Sequence, residues 1–138
     1  MLDFLRRFFV RRKRKQILVI DDEPHILKTV TTALKGEGYI VHSALSGKEG
    51  LNLAKVMRPH LIILDIMMPP PDGIAVYKEL KDHAFTRRIP VLFMTAKAEK
   101  QVEYLGITDP ILFRHHIKKP FSIRNLLERV RAILSATP

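Results

Sequence analysis

The chain has 138 residues, 46% of them hydrophobic and 28% charged, with a formal net charge of +10 and no cysteine. Such a length suits one domain and the composition suits a globular core, while the lack of cysteine excludes disulfides and thiolate zinc sites. No apolar run approaches the ~20 residues that span a bilayer, so the cytoplasm is the expected compartment.

The charge is uneven. Residues 1–16, MLDFLRRFFVRRKRKQ, hold seven Lys/Arg and one Asp, which is +6 of the total. The remaining 122 residues carry only +4. On a helical wheel Leu2, Phe4, Leu5, Phe8 and Phe9 fall on one side, and Arg6, Arg7 and Arg11 fall mostly on the other. A basic amphipathic pattern of this kind suits an anionic membrane surface or a partner groove. A secretory signal does not fit, because the arginines interrupt and follow a short apolar stretch. Phosphate neutralisation by Arg11 to Lys15 is a third reading, and a solvated leader packing loosely on the domain is the plainest. The expected division is a basic amphipathic extension over 1–15 and a domain over 16–138.

From Gln16 the pattern becomes regular. Ile17-Leu18-Val19-Ile20 reads as a strand that runs into Asp21-Asp22-Glu23, then Pro24, a residue suited to a first helical turn. Ile26, Leu27, Val30, Ala33 and Leu34 recur at helical spacing until Gly36 and Gly38. Tyr39 to Ala44 is a second strand. Ser46-Gly47-Lys48-Glu49 has the form of a capping box before a helix striped by Leu51, Leu53, Ala54 and Met57. Arg58-Pro59 ends that helix. Leu61-Ile62-Ile63-Leu64 is apolar throughout, as in a strand buried on both faces, and it ends at Asp65. A proline-rich loop, Met67 to Gly73, leads to a helix expected to about Asp82, with Ile74, Val76, Tyr77 and Leu80 inward. Ile89 to Met94 is a fourth strand, with proline tolerated near its start. A weaker helix is expected over 97–107, a poor fifth strand from Ile111 to Ile117, and a last helix over about 122–135.

Strands alternating with helices imply a parallel sheet covered on both faces. The expected fold is therefore α/β, a doubly wound, flavodoxin-like sheet of five strands in the order 2-1-3-4-5. In such a sheet the carboxyl ends of the strands share one edge. Strand one brings Asp21 and Asp22 there, strand three Asp65, strand four Thr95 and strand five Lys119. Singly, each is more simply read as a cap or a turn. Together, three carboxylates around one point repel unless a cation joins them, and hard oxygen ligands favour Mg²⁺. A lysine and a hydroxyl opposite suit an anion beside that metal. The set describes a phosphoryl site with a nucleophilic carboxylate at its centre.

The motifs ILVIDDEP, LIILDIMMPPPDG, VLFMTA and KKPF, spread over about residues 16–135, resemble the receiver domain of two-component response regulators, of the chemotaxis-regulator type. The resemblance implies a cytoplasmic phosphoprotein of a phosphorelay, a phosphoacceptor and not an enzyme proper. It takes a phosphoryl group from a histidine kinase or phosphotransfer protein and signals to a downstream protein partner. By residue, it implies Asp65 as acceptor, Asp21 and Asp22 as Mg²⁺ carboxylates with Asp22 the direct ligand, and the backbone carbonyl of Met67 as a further ligand beside Asp65. Thr95 corresponds to the hydroxyl that closes onto the phosphoryl group, and Lys119 to the lysine that pairs with it. The Lys119-Pro120 bond would be cis. Nucleic acid is not expected as a partner of the domain itself. Only Ser135-Ala136-Thr137-Pro138 follows the last helix, so a stand-alone domain is expected, peripheral at the membrane if its leader docks there.

The sequence departs from the family over 97–117. The small-residue turn before strand five is missing, the interval from Thr95 to Lys119 is long, and His116 stands where the family often has a switching aromatic. Adjacent His115 and His116 point to opposite faces of a strand and do not form a metal pair. The departure favours a private partner or a weakened switch, and the competing reading is a receiver-like scaffold that does not switch, docked through its N-terminal segment. An aspartyl phosphatase would place an acid two residues after the nucleophile, where this chain has Met67. A flavin phosphate would be repelled by Asp21-Asp22-Glu23. With Met67 and Lys97 flanking the water path in the family, slow self-dephosphorylation is expected.

Overall fold

A computed structural model describes residues 13–96 and 115–136. The elements are β1 (Gln16–Ile20), α1 (Pro24–Gly36), β2 (Ile40–Ala44), α2 (Gly47–Met57), β3 (Leu61–Asp65), α3 (Gly73–Asp82), β4 (Val91–Thr95), β5 (His116–Lys118) and α4 (Ile123–Ala136). All four strand pairs are parallel and the sheet order is β2-β1-β3-β4-β5. The doubly wound order read from the alternation is the order observed.

Alternation along each strand divides the core in two. Ile17, Val19, Leu61, Ile63, Leu92, Met94 and Ile117 face one way, onto Leu27, Val30 and Leu34 of α1 and Leu126, Val130 and Ile133 of α4. Leu18, Ile20, Ile62, Leu64, Val91 and Phe93 face the other way, onto Leu51 and Ala54 of α2 and Val76 and Leu80 of α3. Every residue of β3 is buried, because β3 lies at the centre of the sheet with helices on both faces. A strand in that position must be apolar on both sides, so the unbroken LIIL run is a consequence of its place.

Helix ends follow the sequence signals with small shifts. Pro24 opens α1, and Gly38 takes a positive φ of 93° just beyond its end. At α2 the Ser46 hydroxyl accepts from Glu49 N at 3.2 Å, as a capping box requires. The return bond goes to Leu45 N, not to Ser46 N, one residue earlier than the usual box. Asp72 caps α3 by accepting from Ala75 N at 2.9 Å.

Two strand limits differ from expectation. β4 starts at Val91, two residues after Ile89, since Pro90 has no N–H to give a ladder. Its carbonyl still accepts from Ile62 N. The described part of β5 is His116–Lys118, later than the expected span; positions 111–114 and the helix expected over 97–107 lie outside the described residues. Residues 1–12 of the leader also lie outside them, and β1 opens at Gln16.

The loop after β3 is closed by glycine. Gly73 N donates to Ile66 O at 3.0 Å, and a Cβ on Gly73 would collide with the Asp65 carbonyl and the Ile66 backbone. Gly36, at the end of α1, has open space around it. We expect Gly73→Ala to destabilise the fold by ~1–3 kcal/mol because backbone must move. Gly36→Ala should stabilise it by up to about 1 kcal/mol. Urea unfolding of both variants checks the pair, and equal effects would contradict the packing described.

Candidate functional site

The carboxyl edge of the sheet collects the chain's buried charge. Asp21 follows β1, Asp65 ends β3, Thr95 ends β4, and Lys119 follows β5. Register brings them together: Asp65 pairs with Met94, beside Thr95, and Thr95 pairs with Lys118, beside Lys119. Lys119 N donates to Thr95 O at 2.7 Å, which carries the lysine along the edge toward β1 and β3. Asp21, Asp65 and Thr95 are buried, at 0%, 2% and 4% exposure. The Lys119-Pro120 bond is cis, as the motif implied, and Pro70-Pro71 is cis as well.

Lys119 holds the acids together. Its Nζ donates to Asp21 Oδ2 at 2.7 Å, and stands 3.5 Å from Asp65 Oδ2 and 3.8 Å from Glu23 Oε1. Burial alone would push the ammonium pKa down. The hydrogen bond to Asp21 and the charges of Asp65, Asp21 and Glu23 more than reverse this, leaving it above the ordinary lysine value. Asp21 is tied on both oxygens, since Oδ1 accepts from Glu23 N at 2.9 Å. Asp65 Oδ1 accepts from Met67 N at 3.2 Å. The bond orients the carboxylate from its own loop, while the Met67 side chain stays outside at 44% exposure.

The balance on Asp65 is unfavourable to its charge. Burial raises its pKa, Asp21 raises it further, and Lys119 and the Met67 amide only partly offset them. The result is a carboxyl pushed up from 3.8 to about 6. Asp21, Asp22, Glu23 and Asp65 each offer a carboxylate oxygen, all within 4.8 Å of one another. Four hard oxygen donors with excess negative charge are a donor set that fits Mg²⁺, which needs only one or two carboxylates and keeps its waters.

Every expected site residue that carries a side-chain role lies at this edge. Glu23, in the sequence only the third member of an acidic run, joins the cluster. It is the N-cap residue of α1 but makes no capping bond, which leaves its carboxylate to face Lys119. The sequence signal was a third acid placed directly before a helix-opening proline. Gly73, which fixes the backbone of Asp65 from behind, was read only as the close of a loop.

The shifted pKa sets a pH dependence with a definite sign. Above about pH 6, Asp65 is charged in both folded and unfolded chains and its burial penalty stands in full. As pH falls from about 6 toward 3.8, the folded form takes up the proton first and stability rises; below 3.8 both forms are protonated and the gain is complete. Asp65→Asn, with the same shape and no charge, should therefore stabilise the metal-free protein at neutral pH by ~1–3 kcal/mol. That advantage should vanish in acid. Denaturant melts of the two proteins across pH check this, and an advantage that grows on acidification would contradict it.

Comparison with known proteins agrees with this geometry. Residues 17–131 match the family described as the response regulator receiver domain. The chain is 38% identical over 122 residues, 88% of its length, to the DNA-binding dual master transcriptional regulator RpaA of Synechocystis, of which it covers 50%. It is 40% identical over 120 residues, 87% of its length, to the alkaline phosphatase synthesis transcriptional regulatory protein PhoP of Bacillus subtilis, of which it covers 48%. The chain thus spans about half the length of the curated relatives it matches. Its fold superposes with a TM-score of 0.78 on the chemotaxis response regulator CheY4 of Vibrio cholerae, at 26% identity over 88% of this chain and 99% of that one. With the acidic edge and its lysine in place, the chain belongs to the response regulator receiver domain family.

Proposed function

We propose that this chain accepts a phosphoryl group on Asp65 from a phosphohistidine of a histidine kinase or phosphotransfer protein. Members of the family are phosphoacceptors that bind Mg²⁺ at an acidic pocket. The observation that carries the assignment to Asp65 is its position: a buried carboxylate at the centre of the edge, 3.5 Å from a lysine ammonium and surrounded by three further acids. An Asp65 oxygen forms the new bond to phosphorus as the phosphorus–nitrogen bond of the donor breaks, and the imidazole leaves with the electron pair and then takes a proton. The product is an acyl phosphate on Asp65.

The neighbours then have separable tasks. Asp22 and Asp65, with the backbone carbonyl of Met67, would hold Mg²⁺. Asp21, already bound by Lys119 and Glu23 N, would complete that Mg²⁺ set as its second acid from β1. Mg²⁺ bound there offsets the charge that the phosphoryl oxygens bring to a carboxylate cluster. Lys119 exchanges its contact with Asp65 for a phosphoryl oxygen, and the Thr95 hydroxyl donates to another. The groove beside Lys119, between α1 and the β5–α4 loop, is lined by Ile26, Thr29, Val30 and Phe121 and suits the apolar face of the donor. Signal leaves through a downstream protein partner.

Incubation with acetyl phosphate and Mg²⁺ should add one phosphoryl group to the full chain, read by intact mass, and Asp65→Asn should abolish it. Persistence of the adduct in that variant would sink the assignment. A second outcome concerns lifetime. Met67 has no group to orient water, so the phosphorylated form should decay over minutes or longer, and Met67→Asn should speed the decay. Loss within seconds from the wild type, unchanged in the variant, would remove that role for Met67.

A further inference from the structure

The edge of the sheet opposite Asp65 carries the other half of the charge. There the strands begin, and the segments that lead into them are cationic and exposed: Lys13, Arg14 and Lys15 before β1, Lys35 before β2, Arg58 before β3, and Arg87 and Arg88 before β4. Among the described residues, the acids at this edge are Glu37 and Asp82. Glu37 is already paired with Arg131 of α4 at 2.7 Å. Among the described residues, no acidic side chain pairs with Lys13, Arg14, Lys15, Arg87 or Arg88. The domain is thus bipolar, with Asp21, Asp22, Glu23, Asp65 and Asp72 at one end and a cationic plane at the other.

Cations at the carboxyl ends of helices also complement the helix dipole, and Lys35, in the last turn of α1, is accounted for in that way. Arg87, Arg88 and the run 13–15 lie outside every described helix, so that account does not reach them. The cationic edge also presents apolar surface. Phe85 is 54% exposed, Val56 is 78% exposed, and the Arg58 guanidinium lies 3.8 Å over the Phe85 ring. The turn that presents Phe85, Arg87 and Arg88 is firmly built. Buried Thr86 donates to Leu80 O at 2.7 Å, and Lys81 Nζ donates to Arg87 O at 3.0 Å and to Ile89 O at 3.3 Å.

We propose that the strand-entry edge, carrying Lys13–Lys15, Arg58, Phe85, Arg87 and Arg88, docks on an anionic phospholipid surface, with Asp65 facing away from it. The cations complement an anionic surface, and the aromatic–arginine pair suits the boundary between headgroups and acyl chains. Continuity adds to it. Lys15 O accepts from Ile40 N at the start of β2, so the chain enters the domain at this edge. Lys13, Arg14 and Lys15 therefore stand on the same side as Arg58, Arg87 and Arg88. A nucleic acid would use the cations but not the exposed Phe85 and Val56. The inference does not depend on the phosphoacceptor reading, because the two edges are separate.

The test uses the full chain and vesicles of phosphatidylcholine alone or mixed with phosphatidylserine. Sedimentation should show binding to the mixed vesicles only. Each surface cation is worth roughly fivefold in such binding, so the triple substitution Arg58→Gln, Arg87→Gln, Arg88→Gln should weaken it on the order of a hundredfold. Its phosphorylation by acetyl phosphate should be unchanged, which shows that the fold is intact. In the Phe85→Trp variant the indole fluorescence should shift to the blue on mixed vesicles. The proposal is overturned if the wild type does not bind, if the triple variant binds as well as the wild type, or if the fluorescence does not move. It is also overturned, in favour of nucleic acid, if duplex DNA of unrelated sequence displaces the protein from vesicles at equal charge concentration.

Discussion

The acidic edge of the sheet depends, among the described residues, on one half-buried ammonium, that of Lys119. Asp21 and Asp65 are both almost fully shielded from water, and two such carboxylates side by side repel each other unless a cation lies beside them. Lys119 supplies that cation from the far side of β4. It arrives there because β5 is parallel to β4 and because its own amide is held by Thr95 O. The arrangement is a compromise, with a tight ion pair to Asp21 and a looser contact with Asp65. Lys119 sits closer to Asp21 than to Asp65, and the central carboxyl is left with its pKa raised to about 6. A site left with surplus negative charge is prepared for a divalent cation, and an ammonium anchored on Asp21 but only 3.5 Å from Asp65 can change its second partner.

The same lysine ties the fold to the site. β5 is short and stands at the edge of the sheet, with Ile117 as its buried residue. Its position is fixed by the ladder to β4 on one side and by Lys119 reaching across to α1's acidic entry on the other. α4 packs beside α1 over Ile17, Val19 and Ile63. The Asp21–Lys119 contact therefore closes the sheet edge above a hydrophobic layer that already joins those two helices.

Much of this could be read from the sequence, for physical reasons. Parallel strands buried on both faces must be apolar without alternation, so Ile17–Ile20, Leu61–Leu64 and Val91–Met94 announce themselves. Residues at strand ends share an edge by topology, so Asp21, Asp65, Thr95 and Lys119 could be grouped before any distance was known. What stayed hidden depends on orientation. Nothing in the order of letters says that Glu23 leaves its cap position unfilled and faces Lys119. The same holds for the capping box of α2, whose return bond slips to Leu45. β4 begins later than its apolar run because a residue such as Ile89 can be buried beside a strand without being in its ladder. The bipolar charge was also invisible: Arg58, Arg87 and Lys13 are far apart in the chain, and net charge averages over both ends.

Two glycines beside the loop after β3 bear on the packing of the site. Gly73 lies against the backbone of Asp65 and Ile66, and Gly47, at the start of α2, lies against Pro71 and Val76; a Cβ there would stand 2.5 Å from Pro71 O and 2.7 Å from Val76 Cγ2. The loop after β3 is thus wedged between two helix starts with no slack. One wall of the pocket is inelastic. When an anion enters, the displacement it demands has to be taken up across from that wall, by β4 and by the long side chain of Lys119. The α2–α3 side is the close-packed side of the site, so even a single added methyl group there has to displace backbone.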